Sequence, residues 1–337
     1  MSVGATLPII DISPFLPNSQ SSPGERQQCA RTLASACRDT GFFYLTNHGI
    51  PGSQTDEILS LARTFFLSAT EAEKASIARQ DAGVGTGDGA RGYQKAGENV
   101  TTGKRDWHEA IDLYRDVHHS PTPPYTLCHG PNRWPASPPT FEDTYRRYIH
   151  ALLGLGEAVV RAMGHALDPA HDDVFVDHTR ASFWVMRIIG YPPLPPARGA
   201  TKLEVGMEDG ELGISCGEHT DYGCVTFLLA DETKGALQVQ HRSGAWITAD
   251  PLPGAFVVNI GDMMERWTNG LWKSTRHRVV HQGSDWRVSV PFFFEPDFAA
   301  RIEPLDVCVQ QTGGTAKYSP KIYGEHLLHK VGRNFYG

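Results

Sequence analysis

Nine residues, Gly217-Glu218-His219-Thr220-Asp221-Tyr222-Gly223-Cys224-Val225, carry the pairing of side chains best suited to chemistry in this 337-residue chain. On a strand, alternate side chains share a face, so His219 and Asp221 are expected to point the same way. A neutral imidazole beside a carboxylate supplies two thirds of the facial set that binds Fe(II) and leaves positions open for oxygen chemistry. A His-x-Asp triplet alone is weak evidence, because most such triplets are solvated loops or satisfied polar residues. Its weight depends on what accompanies it.

A third ligand has to come from another strand, and the downstream histidines are His241, His277 and His281. His277 fits best, within the run Ser274-Thr275-Arg276-His277-Arg278-Val279-Val280. His281 shares its face by the two-residue period and is the runner-up. A hydrogen-bonded histidine of the core is the structural alternative for either. Arg287 and Ser289 stand two apart on the next expected strand, so a guanidinium and a hydroxyl should project together into the metal's cavity. A buried arginine left without an anion costs on the order of 3 to 5 kcal/mol. It therefore calls for a bound carboxylate, gripped in bidentate fashion, or for an internal Asp or Glu.

Taken in order, Pro8-Ile9-Ile10-Asp11, Gly41 to Ile50 (Gly-Phe-Phe-Tyr-Leu-Thr-Asn-His-Gly-Ile), His219 to Gly223, Asn259-Ile260-Gly261-Asp262, Ser274 to Val279, Arg287-Val288-Ser289 and Tyr323-Gly324-Glu325 span nearly the whole chain. Together they resemble the Fe(II)/2-oxoglutarate-dependent oxygenases of the isopenicillin N synthase-like group. The His-Thr-Asp-Tyr-Gly form and the Gly97 to Thr101 loop look nearest to thymine 7-hydroxylase and the ethylene-forming enzyme. The resemblance implies a double-stranded β-helix (jelly-roll, cupin-like) core, mainly β with flanking helices. It implies that His219, Asp221 and His277 bind iron, that Arg287 and Ser289 grip the distal carboxylate of 2-oxoglutarate, and that Tyr191 lies beside it. Fe(II), 2-oxoglutarate and O2 are then the cofactor set, with ascorbate as a reductant that keeps the iron ferrous. The reaction implied is hydroxylation or desaturation of a small metabolite, with release of succinate and carbon dioxide. Asp221 favours these over halogenation, since related halogenases carry a small residue in its place.

Where the family often has Asn-Tyr-Tyr-Pro, this chain has Ile189-Gly190-Tyr191-Pro192, so an amide contact to 2-oxoglutarate is missing. Arg-x-Ser also holds a peptide substrate in isopenicillin N synthase. A 2-oxoglutarate-independent iron oxidase and a non-catalytic metal-binding jelly roll are therefore the alternatives. The resemblance further suggests that a loop carrying Arg91, Tyr93, Glu98 and Thr101 closes over the site and, with Tyr222, meets a small polar or amino-acid-like substrate.

The elements that must position these residues read as follows. Ser22-Pro23-Gly24-Glu25 predicts a capping box and a helix that Gly41 ends. Phe42 to Leu45 predicts a buried strand. A second helix carries Ile58, Leu61, Ala62 and Phe65, and Ser68 with Glu71 is expected to cap a third. The glycine-heavy stretch from Gly83 to Gly103 lacks the spacing and flanks of a phosphate-binding motif and is expected to be a mobile loop. Prolines crowd residues 121 to 139. Phe141 to Leu167 then steps apolar residues by three and four, predicting a long helix with Thr140 and Asp143 at its start. Beyond residue 180, strands are expected at Phe183 to Ile189, Gly223 to Leu229, Ala236 to Gln240, Trp246 to Ala249, Phe256 to Ile260, Ser274 to His281 and Trp286 to Phe294. One domain is expected over 1–337, with an α-rich portion at 1–180, the jelly-roll core at 181–298 and a C-terminal helix in 299–337.

Composition narrows the partners. A formal charge of -7 argues against a nucleic-acid surface. The six cysteines form no Cys-x-x-Cys pair, which suits a reducing cytoplasm and no thiolate zinc site. No run approaches a membrane span, and the amino terminus has no basic-then-apolar leader. The expectation is a cytoplasmic, uncleaved chain with a small-molecule substrate, without nucleic acid or membrane, and monomeric, a dimer being the alternative. A second His-x-Asp at His171-Asp172-Asp173, near His165 and His178, would suit a zinc hydrolase but reads as a solvated loop.

Overall fold

The structure is a computed structural model describing residues 6–116, 123–194 and 214–336, with side chains as far as residue 332. Sixteen strands are described: β1 (Ile9–Asp11), β2 (Phe42–Thr46), β3 (Gly92–Gln94), β4 (Val100–Thr101), β5 (Lys104–Arg105), β6 (Glu109–Tyr114), β7 (Val185–Tyr191), β8 (Cys216–His219), β9 (Val225–Ala230), β10 (Leu237–Gln240), β11 (Trp246–Thr248), β12 (Phe256–Ile260), β13 (His277–Val279), β14 (Arg287–Phe294), β15 (Arg301–Ile302) and β16 (Lys321–Ile322). The helices are α1 (Pro23–Asp39), α2 (Gly52–Ser68), α3 (Glu71–Ser76), α4 (Phe141–Leu167), α5 (Asp262–Trp267), α6 (Asp306–Gln311) and α7 (Tyr323–Tyr336).

Eight strands form a large sheet in the order β1-β2-β12-β9-β14-β7-β6-β3, and four form a small one in the order β11-β10-β13-β8; the two remain separate sheets. Leu237, Val239 and Val279 of the small sheet share one apolar cluster with Phe42, Ala110, Ile189 and Val257 of the large one. That cluster is the jelly-roll interior. Along β14 the two-residue period divides the faces. Val288, Val290, Phe292 and Phe294 join the main core with α1, α2 and α4, which leaves Arg287 and Ser289 on the opposite face.

The long helix α4 buries Tyr145, Tyr148, Leu152, Val159 and Met163. It lies so close to β14 that a Cβ on Gly156 would sit 2.3 Å from the Phe294 ring. Ser22 and Glu25 form the expected capping box of α1, a device whose loss typically costs about 1 kcal/mol. Some local expectations need correction. The capping box of α3 is Thr70 with Glu73, not Ser68 with Glu71, and Thr140 precedes α4 without a side-chain cap bond. The glycine-rich stretch contains β3, paired with β6, and β4, paired with β5 one residue past its end. Only His277–Val279 of the expected strand 274–281 is strand, and β6 and β8 fall outside the expected strands. Residues 121 and 122 of the proline-rich passage lie outside the described residues.

Candidate metal centre and substrate cavity

Strand β8 ends at His219, and Asp221 lies in the turn that follows. Strand alternation therefore does not align them. Two other features do. In the antiparallel pairing of β8 with β13, His219 stands directly opposite His277, with ring centroids 4.3 Å apart. The turn is held by the start of α5, where the Asp262 N–H donates to the Asp221 carbonyl at 2.8 Å. As a result Asp221 Oδ1 lies 3.8 Å from His219 Nε2 and 3.6 Å from His277 Nε2. All three ligand-type atoms fall within 4.8 Å of one another.

Hydrogen bonds fix which atoms remain free. His219 Nδ1 meets the Gly217 carbonyl at 2.8 Å and His277 Nδ1 meets the Thr275 carbonyl at 3.2 Å. A carbonyl can only accept, so both Nδ1 atoms carry the proton and both Nε2 lone pairs are left for a metal. Asp221 Oδ2 accepts from Thr226 Oγ1 and from Asn259 Nδ2, the latter at 2.6 Å. Its Oδ1 is thereby the oxygen turned to the histidines. Burial works against charge on Asp221, but His277, His219 and these two donors together hold its carboxyl below the usual range. Burial and the neighbouring His219 push His277 down to about 4, keeping it neutral. Burial works against charge on His219, yet Cys216, Asp221 and the Gly217 carbonyl push it up to about 10, so this imidazole sheds its Nε2 proton as a metal binds. Two imidazoles and one carboxylate, each with its outer atom tied, fit an Fe(II) ion.

Arg287 is 2% exposed and, among the described residues, has no acidic partner. Its Nε has no acceptor, and its Nη1 reaches only Ser289 Oγ at 3.4 Å. Two other interior arginines differ. Arg91 is paired with Asp88, and the half-buried Arg187 with Asp112. Arg287 faces Tyr191 across the β14–β7 pairing, with its guanidinium 4.8 Å from that ring, while Ile189 stands opposite Ser289. A buried, uncompensated guanidinium beside a hydroxyl and a phenol is what a bound carboxylate requires.

The His219–Asp221 pair and Arg287 border different cavities. His219 and Asp221 border one with Asn99, Asp112, Arg187, Tyr222 and Glu295. Arg287 borders another, among Leu228, Leu237, Ala249 and Val257 between the sheets. Of the residues expected near the substrate, Tyr222 borders the first cavity. Arg91 is buried against Asp88, Asn132 and the Tyr114 ring, and Tyr93 packs on Phe65. Glu98 is exposed, and its carboxylate accepts from the Lys95 N–H. Thr101 donates to Asp106 at 2.7 Å, and Asp106 in turn accepts from the Gly217 N–H at 2.8 Å, so this residue ties its loop to β8. His281 is buried, with Nε2 2.6 Å from the Asp285 carbonyl, and is not part of the triad. His171 is exposed, and Asp172 is paired with Arg161 and Arg26. Sequence reasoning missed Asn99, Asp112, Arg187 and Glu295. Arg187 and Glu295 lie on or beside strands already expected, but nothing in a single sequence says which face of the sandwich they enter.

A family model described as the 2OG-Fe(II) oxygenase superfamily matches residues 184–296, and one described as the N-terminal region of non-haem dioxygenase in morphine synthesis matches residues 7–137. A soybean (Glycine max) protein named homoarginine-6-hydroxylase is 40% identical over 337 residues, covering 98% of each chain. A rice (Oryza sativa) protein of the same name is 40% identical, covering 98% of this chain and 97% of its own. The chain belongs to the 2OG-Fe(II) oxygenase superfamily. Full-length thymine 7-hydroxylase of Neurospora crassa, solved with alpha-KG, superimposes with a TM-score of 0.80 at 25% identity, covering 98% of this chain and 97% of that one. This oxygenase is an Fe(II)- and 2-oxoglutarate-dependent dioxygenase that acts on a small molecule. Among the described residues, no helix is long and apolar enough to cross a membrane.

Proposed function

We propose that this dioxygenase hydroxylates a small amino acid bearing a guanidino group, of the homoarginine type. The convergence of His219 Nε2, His277 Nε2 and Asp221 Oδ1 on one point carries the reading that these three residues hold the iron. Arg287 and Ser289, with Tyr191 beside them, take the distal carboxylate of 2-oxoglutarate; the unpartnered, buried guanidinium supports this. The guanidino substrate is supported by the two plant relatives at 40% identity over nearly the full length and by the mixed charge of the cavity next to the metal ligands.

When bound, iron and 2-oxoglutarate supply the activation of dioxygen that places oxygen on a C–H bond, with 2-oxoglutarate leaving as succinate and carbon dioxide. The chain's own part is positioning. Thr226 and Asn259 orient Asp221, backbone carbonyls set both histidine tautomers, and Tyr222, Asn99 and Arg187 border the space where a substrate meets the metal face. The chain acts as one domain, since β1, β2, β3 and β6 from its first 116 residues are strands of the same large sheet as β9, β12 and β14. We place it in the cytoplasm, a reading supported by six cysteines that are all free thiols, and expect a monomer. The test is incubation with Fe(II), ascorbate, 2-oxoglutarate and homoarginine, following succinate and a one-oxygen mass gain. Succinate formation with no oxidised product from homoarginine, arginine or their guanidino analogues would overturn the substrate class.

A further inference from the structure

We infer that Glu295 is the residue that recognises the cationic end of the substrate. It follows β14, is 3% exposed, and borders the same cavity as His219 and Asp221. Its position is enforced by the turn that carries the metal ligand: a Cβ on Gly223 would lie 1.1 Å from Glu295 Oε2, so only glycine admits the carboxyl there. Oε2 also accepts from the Cys224 N–H at 3.2 Å; the nearby Tyr323 hydroxyl makes no hydrogen bond of ordinary geometry. No lysine, arginine or histidine pairs with this carboxyl among the described residues. Every other charge on the cavity wall has an assigned counterpart: Asp112 has Arg187, and Asp221 has the two histidines and, in the holoenzyme, the metal.

A buried carboxyl facing a ligand cavity with no cation of its own is unfavourable unless the ligand brings one. Burial and the nearby Asp221 charge already push Glu295 up to about 8, the environment a guanidinium or ammonium would relieve. Because Glu295 and Asp221 line one cavity, a cation held by Glu295 places the adjoining carbon near the metal face. Arg187, with Nε on Asp112 at 2.7 Å and Nη2 on Asn99 at 3.1 Å, borders the same cavity as a cationic group. This assignment rests on the proposal that the substrate is a guanidino amino acid, but it requires only that the substrate be cationic near the oxidised carbon.

The experiment compares homoarginine with homocitrulline, its neutral urea isostere, binding to the anaerobic Fe(II)·2-oxoglutarate enzyme, read from the change in the iron–2-oxoglutarate charge-transfer band. The wild-type protein is expected to prefer homoarginine by about tenfold or more, the scale of one charge-assisted hydrogen bond. Glu295→Gln is expected to bring the two within about twofold while leaving the 2-oxoglutarate band intact. Retention of the preference in Glu295→Gln overturns the assignment. Should Gln at this position prevent folding, Glu295→Asp keeps the charge with a shorter reach; it should weaken homoarginine more than homocitrulline, and equal weakening overturns the assignment. Lysine and its neutral Nε-acetyl derivative separate the two readings. If only the lysine pair shows the cation preference, and Glu295→Gln removes it, the guanidino substrate fails and the role of Glu295 stands. If neutral members bind as tightly as cationic ones in both pairs, Glu295 does not read charge.

Discussion

Two groups of three ligand-type side chains each draw one member from β8: His219, with Asp221 and His277, and Cys216, with Asp106 and His108. Both hold their donor atoms within 4.8 Å of one another, yet they differ in what those atoms are already doing. In the first, hydrogen bonds occupy the outer atoms and leave Nε2, Nε2 and Oδ1 turned inward beside an open cavity. In the second, both Asp106 oxygens are taken, by Thr101 and by the Gly217 N–H; His108 Nδ1 meets the Ser215 carbonyl at 2.7 Å and its Nε2 is unpartnered, but none of the three borders the cavity that His219 and Asp221 line. Burial, Arg187 and His219 hold His108 at about 3, so it stays neutral. Proximity of donors does not make a metal site; free lone pairs facing space for an ion do. The second group instead reads as a tie that fixes β8, and with it His219.

The sharpest way to break this contrast is to remove Asp221. Asp221→Ala should weaken Fe(II) binding by more than about 100-fold, beyond the 10- to 100-fold usual for losing a residue that only orients a ligand; anaerobic titration would show it, and near-normal affinity would remove Asp221 from the metal set. Arg287→Ala comes next. It should raise the 2-oxoglutarate dissociation constant by roughly 30-fold or more, in line with about 2 kcal/mol or more for truncating one partner of a buried charge pair, while iron affinity holds. Asn259→Ala, which frees Asp221 Oδ2 from one of its two donors, should cost about 10- to 100-fold in metal affinity with the ligands intact. Asp106→Asn tests the other group. Iron affinity should change by less than about threefold, with a melting temperature lowered by the loss of a buried charge-assisted bond, and metal should bind at one equivalent per chain; a second tight equivalent lost in this variant would make the second group a site after all.

The smallest effect concerns pH. Glu295 is raised from the ordinary 4.5 to about 8 in the fold, chiefly by burial. An acid raised in this way keeps a proton that the unfolded chain has lost, so its stabilising contribution is full below about 4.5 and disappears as pH rises through about 8. The ligand-free protein should therefore lose melting temperature across that window, and Glu295→Gln should flatten the slope. An unchanged slope would show that other groups carry it.

How much of this was legible in the chain follows from how local each signal is. The capping box at Ser22, the 27-residue helix α4 and the alternation along β14 are written in neighbouring residues, because propensity, capping and side-chain period act over a few positions. The His-x-Asp triplet and Arg-x-Ser were visible for the same reason, although the triplet aligns through a turn and not through a strand. Strand β6 is hidden inside a charged stretch, Glu109 to Tyr114, since its partners are β7 and β3 and not its immediate neighbours.

By itself the sequence determined the donor types, their order and the chemistry that iron with two histidines and one carboxylate permits. Only the tertiary structure decided that His277 and not His281 stands opposite His219, because a strand's register is set by its partner. It alone decided that both Asp106 oxygens are spent on hydrogen bonds, that among the described residues Arg287 lacks an acid where Arg91 and Arg187 have one, and that Glu295 enters the cavity against Gly223. These are facts of which side chain meets which across the sandwich, and residues more than 70 positions apart in the chain carry no mark of that meeting until the sheets close on each other.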